Sequence, residues 1–564
     1  MPARPALPAD TGALREGRSL GWSFAAALIA ALVLAPVLAV GWIALNPTEN
    51  IWPHLLATTL PRYFANTVIL AAGTGLLAAA MGTGAAWLVA MHDFPARRLL
   101  EWLLLLPLAV PAYVGAYALA DFLDYSGPVQ TALRGWFGWS SARDYWFPAI
   151  RSREAAIVVL AAALYPYVYL LARASFLEQP GGVYEVARAL GTSPLGVFRR
   201  VGLPLARPAI VAGSAIAMME TVADYGVVSY FGVQTLNTGI FTTWLEAQNA
   251  GGAAQIALVM LGMVLTFAVL ERAGRRRARY HQGARQRRPV IRQPLTGAAG
   301  WAAAVACTLP FAMGFVLPAA VIAHYALSYP QGWLGPGLLE AAWHTLSLGA
   351  VAALLTVLLA MVMVYGTRLS GARLPRLLMP VTGIGYAAPG AVLAVGILVP
   401  LAALDHRVAD AVLALTGTDP GLILTGTGAA IVLAYVVRFF AIAQGALDAA
   451  FARVPPSLPM AARSLGRSAG GALRAVYLPL MRGTVGSALL LVFVDCAKEL
   501  PATLLLRPFN YETLATRVHE KASIEDLGNA APAAILVMAV GLVAVALLAR
   551  ANLGLRAARG RARR

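Results

Sequence analysis

Lysine is nearly missing from this sequence: Lys498 and Lys521 are the only two, against 42 arginines. A phosphate-binding loop needs a lysine behind a glycine to meet the phosphates, and neither lysine has that setting. The chain is therefore not expected to hydrolyse a nucleotide itself. Cysteine is equally scarce. Cys307 and Cys496 both lie inside apolar runs, which suits packing and excludes a disulfide framework or a thiolate metal site. The histidines, His54, His92, His281, His324, His344, His406 and His519, are scattered without metal-ligand spacing and receive no role. Charge is low as well: 12% of the 564 residues, against 59% hydrophobic. A soluble domain of this size could not hide so much apolar surface, so an apolar solvent must receive it.

What is present in abundance is the long apolar run. Twelve can be drawn, near 22–45, 67–91, 101–121, 154–176, 208–229, 253–271, 301–325, 343–365, 376–403, 424–447, 483–505 and 531–549. Each approaches the roughly 20 residues that a helix needs to cross a bilayer. The expectation is an all-α polytopic membrane protein of about twelve transmembrane helices. The first run follows Arg15 and Arg18 and is longer than a signal-peptide core, so it reads as an uncleaved span.

The net charge of +18 is distributed in short tracts between runs, which fits loops and anionic lipid headgroups and not a nucleic-acid groove. With a cytoplasmic N-terminus, 33 of the 44 basic residues fall on inside segments and 9 on outside loops. Both termini are thus expected in the cytoplasm. The largest cluster, Arg272 to Arg292, marks a basic cytoplasmic linker at 281–300. It separates a first half, 1–280, from a second, 301–564.

The halves repeat. Residues 187–204 read ARALGTSPLGVFRRVGLP and residues 462–479 read ARSLGRSAGGALRAVYLP, an offset of 275. The same offset takes Glu220 to Asp495, Asp224 to Glu499 and Thr238 to Thr513, while Pro111 and Pro389 correspond at 278. Six spans per half is an even number, so the pseudo-repeats are parallel.

The repeated element follows the fourth span of each half. Val186, Ala189 and Leu190 form an apolar face, with Glu185 and Arg188 opposite. Gly191 stops this short helix, since glycine takes the left-handed conformation at no steric cost. Ser193 and Pro194 start a second helix, which Leu203 and Pro204 are expected to end. The element is a helix–glycine–helix elbow at the membrane surface.

This elbow resembles the EAA loop of ABC importer permeases: Glu-Ala-Ala, three residues, Gly, then a hydrophobic helix ending in Leu-Pro. The matching residues are Glu185, Ala187, Gly191 and Pro204, then Ala461, Ala462, Gly466 and Pro479. Val186 replaces an alanine, and Met460 stands where the second copy should have its glutamate. The resemblance implies a type I importer permease fold with each short helix seated on an ATPase subunit. Two elbows imply two such subunits, which use the ATP; a periplasmic binding protein would deliver the solute, and the chain would bind no cofactor. The implied location is the bacterial inner membrane.

Charges inside spans are costly and face a cavity, a partner or a pathway. The fifth run carries Glu220 and Asp224; the eleventh carries Asp495, Lys498 and Glu499. A spacing of four places each carboxylate pair on one helix face. Because the repeat relates the pairs, both should approach the pseudo-two-fold axis and line a route, with Lys498 offsetting part of their repulsion. Oxygen ligands of this kind suit a hard cation, so Glu220, Asp224, Asp495 and Glu499 are candidate transient metal ligands. The alternative is that Lys498 and Arg438 neutralise carboxylates that merely hold helices together. The residues alone reach only a cation or polar solute.

The narrower expectation rests on resemblance. Residues 494–517, VDCAKELPATLLLRPFNYETLATR, and 219–240, METVADYGVVSYFGVQTLNTGI, resemble the corresponding stretches of ferric iron ABC permeases, as does the fused layout. Thiamine permeases share that layout. A secondary transporter using the carboxylates as a proton relay is the rival class, and it would not need two elbows; a nonconducting scaffold would not need buried charges. Pro107, Pro111 and Pro389, near Gly115 and Gly390, mark gates or ordinary membrane-helix kinks. Trp136, Phe137, Trp139, Tyr145 and Trp146 in the loop 122–153 form an interfacial belt or a surface for a binding protein.

Overall fold

A computed structural model describes residues 16–277, 292–370, 373–383, 385 and 388–561. Residues 281–291 of the expected linker, His281 among them, lie outside this set. Among the described residues the chain is helical apart from one two-residue ladder, where His92–Asp93 pairs in parallel with Gln293–Pro294. Eleven of the described helices are long and apolar enough to cross a membrane, or twelve if one bent pair is counted as a span. The fold is a polytopic all-α membrane architecture.

Three expected spans differ in shape. The third is two segments, Arg97–Ala109 and Ala112–Phe137, meeting at 96°. The ninth is split into Arg373–Val381 and Gly390–Thr416. Pro111 and Pro389 stand at these breaks in extended conformation (ψ 139° and 152°) and cap the helices that follow. A proline there has no N–H to lose from the ladder. The fifth span is longer than expected: it runs unbroken from Pro194 to Ala223, and its counterpart from Ala469 to Lys498. Leu203-Pro204 therefore do not end the elbow's second helix. A π-turn at Phe198–Gly202 precedes them, and another at Leu473–Tyr477 precedes Leu478-Pro479. The wider turn passes the chain over a proline that cannot donate to the preceding turn, so the helix continues.

Each half is built on the same three helices. Leu60–Met91, Arg153–Glu178 and Leu203–Ala223 pack mutually in the first, and Leu338–Ser370, Ala429–Arg453 and Leu478–Lys498 in the second. The sequence of Leu60–Met91 explains its fit. Ala71, Gly75, Ala78, Gly82 and Ala86 recur every three or four residues and are buried, while Phe64, Ile69 and Leu76 point outward. Small residues on one stripe let helices approach closely where no hydrophobic effect drives them together.

The halves interlock through their first helices. Glu16–Leu45 packs against Leu338–Ser370 and Gly390–Thr416 of the second half. In return the second half's first span packs against Leu60–Met91 through Gly297–Phe311 and against Ala112–Leu123 through Leu317–Ser328. Val33 and Val40 are fully buried in one cluster with Val357, Val392 and Phe440. Because this exchange does not depend on the linker, cleavage at a protease site inserted within 281–291 should leave two fragments that co-elute from size exclusion in mild detergent. Separation of the fragments would show that the covalent link, and not the exchanged helices, holds the halves.

Candidate functional site

The elbows form as the glycine and serine positions require. Helix Gly181–Ala189 ends before Gly191 at φ +76°, and Ser457–Ser464 ends before Gly466 at φ +82°. Ser193 accepts from the N–H of Gly196 and Ser468 from that of Gly471, each capping the next helix. The outward faces are apolar and open: Val186, Leu190 and Leu195 in the first copy, Met460 and Leu465 in the second. Glu185 is exposed, Ala187 half-buried, and the second elbow helix, which holds Ala461 and Ala462, buries no residue.

Aromatic rings tie each elbow to its half, a feature sequence reasoning missed. Trp87, near the end of Leu60–Met91, has ring centroids 5.3 Å from Phe176, 5.9 Å from Tyr184 and 5.0 Å from Phe198. At the matching place in the second half, Tyr365 lies 5.8 Å from Phe451 and 5.7 Å from Tyr477, and its hydroxyl donates to the Ala469 carbonyl at 2.6 Å. The position of Tyr477 is Gly202 in the first copy, where a Cβ would come within 2.4 Å of the Trp87 ring. The larger indole is matched by the missing side chain. Burial holds the Tyr184 phenol above its ordinary range, and burial with nearby Arg188 lowers His92.

Glu220, Asp224, Asp495, Lys498 and Glu499 all line one cavity of about 200 Å³, with Arg438 and Tyr113 also on its wall. The cavity lies between the halves, where the repeat predicted their approach. The carboxylate pairs do not, however, share a helix face. The helices end at Ala223 and Lys498, and Asp224 and Glu499 follow in extended conformation. Each then caps the short helix beyond. Asp224 Oδ1 accepts from the N–H groups of Val227 and Val228 at 2.9 and 3.3 Å. Glu499 accepts from Ala502 N–H through Oε1 and from Thr503 N–H through Oε2, both at 3.1 Å. A carboxylate that can serve orphan amides competes with continuation of its own helix. Spacing alone did not reveal this.

Beyond that break the offset also changes. Thr235 caps helix Leu236–Phe241 with Thr238 completing the box, and Thr513 caps Leu514–Ser523 with Thr516. Thr67 accepts from Leu236 N–H, and Thr345 from Leu514 N–H. The partner of Thr513 is thus Thr235, not Thr238. The second half carries three extra residues here, which an ungapped comparison passes over.

Glu499 is buried and saturated. Arg438 donates to its Oε1 at 2.8 Å, and the Thr503 hydroxyl to Oε2 at 2.9 Å. Lys498 donates to the carbonyl of Leu108 at 2.7 Å, linking the second half to the broken third span. Gly390 makes room for the ion pair: a Cβ there would lie 2.4 Å from both Arg438 Nη1 and Glu499 Oε1. Among the described residues no three His, Cys, Asp or Glu side chains converge closely enough to hold a metal ion. The outer-loop rings partly satisfy one another, Trp139 stacking between Phe137 and Tyr145, while Trp136 and Trp146 stay exposed. His519, given no role, bonds Tyr117 at 2.7 Å across the halves.

Two six-helix halves, exchanged first helices and paired elbows around a charged cavity are the features by which this chain resembles a fused permease of the ABC importer class. Residues 78–279 match the family model of the binding-protein-dependent transport system inner membrane component. The chain is 23% identical over 498 residues to the Fe(3+)-transport system permease protein FbpB 2 of Haemophilus influenzae, covering 88% of this chain and 90% of that one. It is 23% identical over 522 residues to y4fN of Sinorhizobium fredii, described as a probable ABC transporter permease, covering 87% of each. The molybdenum transport permease ModB of Escherichia coli K12 is 24% identical over 205 residues, 34% of this chain and 86% of its own. The fused layout is shared with the first two. Such permeases work with ATPase and binding-protein partners.

Displacing one member of a buried ion pair costs roughly 3–5 kcal/mol. Gly390→Ala should therefore lower the melting temperature of the purified protein in detergent clearly, and Glu499→Gln should act in the same direction. Ala112→Gly, at the equivalent first-half position, should change it little. Equal melting of Gly390→Ala and the parent would contradict the packing described.

Proposed function

We propose that this chain passes ferric iron inward across the inner membrane, driven by two separate ATPase subunits and supplied by a periplasmic binding protein. The observation that carries the cargo assignment is the charge of the cavity. Four carboxylates line it, and both of its cations are already engaged, Lys498 on a backbone carbonyl and Arg438 on Glu499. An oxyanion such as the cargo of a molybdenum permease needs cations free to offset four carboxylates, whereas hard carboxylate oxygens suit a small, highly charged cation. Iron is further supported by the near-full-length likeness to a permease named for Fe(3+) transport. Thiamine, carrying a single positive charge on an aromatic frame, gains less from four carboxylates.

In this reading residues 1–280 and 301–564 are the two permease halves, 281–300 is a cytoplasmic linker, and both termini are cytoplasmic. One ATPase docks on each elbow, at Glu185, Ala187, Gly191 and Pro204 and at Ala461, Ala462, Gly466 and Pro479. ATP is bound by those subunits, and this chain needs no cofactor or nucleic acid. Closure of the ATPases pushes the elbows; the aromatic clusters around Trp87 and Tyr365 pass the displacement to the spans, and the halves rock about the cavity. The unbroken helices from elbow to cavity, Pro194–Ala223 and Ala469–Lys498, suit that transmission. An ion-coupled secondary transporter has no use for such elbows.

Radiolabelled ferric iron uptake by the reconstituted complex with its ATPases should require ATP, and excess thiamine or molybdate should not compete. ATP-independent accumulation, or competition by molybdate, would defeat the reading. Gly191→Val and Gly466→Val place a β-branched residue in the left-handed region at about 1–2 kcal/mol each. Both should reduce coupled ATPase activity severalfold while leaving membrane insertion intact, and unchanged coupling would remove the elbows from the mechanism.

A further inference from the structure

The two walls of the cavity descend from one repeat but are not equivalent. On the second-half wall Glu499 and Lys498 are both engaged. Glu499 holds Arg438, two backbone amides and the Thr503 hydroxyl, while Lys498, one turn from Asp495, reaches the Leu108 carbonyl. The offset of 275 places Ala163 at the position of Arg438, Ala223 at that of Lys498 and Val228 at that of Thr503. The first-half wall thus keeps the carboxylates Glu220 and Asp224 and has lost the arginine, the lysine and the threonine hydroxyl. Gly390, which must be small to admit Arg438, is answered by Ala112 where no arginine needs the room. The substitutions fit one another.

Asp224 is left differently poised from Glu499. Both of its hydrogen bonds fall on Oδ1, and Oδ2 meets no donor among the described residues. A second, independent observation lies on the same side. Tyr113, on the first-half helix Ala112–Leu123, lines the cavity and is 4% exposed, yet its hydroxyl has no hydrogen-bond partner among the described residues. A buried, unmade hydrogen bond costs about 1–3 kcal/mol, and such a group in a well-packed protein calls for an explanation in function. The ring is held firmly. It packs against Tyr117 at 6.1 Å between centroids, and Gly226 sits so close that a Cβ there would be 2.6 Å from Tyr113 Cβ.

We infer that the cargo cation is received on the first-half wall alone, by the free oxygen of Asp224 and the phenol of Tyr113, while Glu499 is a positioning residue locked to Arg438. This rests on the reading of the chain as a ferric iron permease and specifies its contacts. Carboxylate and phenol oxygens are both hard donors, suited to a trivalent ion. Two or three such contacts make a passing site, not a resident one, since transport requires that the ion leave. The balanced second wall then supplies the rigid surface against which the first wall moves.

The test compares variants that keep the packing. Tyr113→Phe removes only the hydroxyl, and Asp224→Asn keeps an Oδ1 acceptor for Val227 and Val228. In the reconstituted complex, each should lower ferric iron uptake about tenfold or more, with a melting temperature no lower than the parent's. Glu499→Gln should instead lower the melting temperature. If the parent complex moves iron and both first-wall variants match it, the inference fails and the ferric iron reading stands. If the parent moves molybdate and no iron, both fall, because an oxyanion is repelled by the Asp224 carboxylate. If Glu499→Gln keeps the parental melting temperature and loses uptake, the lock is overturned.

Discussion

The fifth and eleventh spans end beside the cavity, and the structure around them depends on what happens to the backbone amides at those ends. In an apolar surrounding an unpaired amide costs several kcal/mol, so a break is stabilised where something accepts the N–H groups of the next helix. Asp224 and Glu499 do this, each capping the short helix that follows. The same residues thereby bring charge to the boundary between halves. Structural need and cavity chemistry are met by one side chain in each half.

Burying Glu499 imposes a further chain of consequences. Its charge needs Arg438, the arginine needs space, and the space requires glycine at 390. The first half dispenses with all three and keeps Ala163 and Ala112. Symmetry of fold is thus compatible with asymmetry of chemistry: the backbone hydrogen bonds repeat, down to the Thr67 and Thr345 contacts with Leu236 and Leu514, while the cations do not. At the elbows the divergence is of volume instead. Trp87 with Gly202 and Tyr365 with Tyr477 fill one kind of joint in two ways.

These joints connect the two ends of the molecule. The apolar elbow faces are open to a partner, and each elbow's second helix runs without interruption to the residue before a cavity carboxylate. A close-packed helix moves as a unit. In the proposed function, displacement applied at Gly191 or Gly466 is delivered beside Asp224 or Glu499 along these helices.

The amino-acid sequence alone determined the twelve spans, the parallel repeat and the two glycine-stopped elbows. Those features follow from local properties: apolar run length, glycine's left-handed freedom and serine capping. It also marked all six charged residues that line the cavity, because charge within an apolar run is conspicuous. Tertiary structure decided the rest. Whether Asp224 continues a helix or caps the next one depends on which amides stand nearby, and the three-residue shift at Thr513 shows only once the capping partners meet. Tyr113 and Gly390 look ordinary in sequence; an unpaired hydroxyl and a 2.4 Å approach exist only between residues far apart along the chain. So does the lock on Glu499, since Arg438 lies 61 residues before it and nothing in that spacing announces contact.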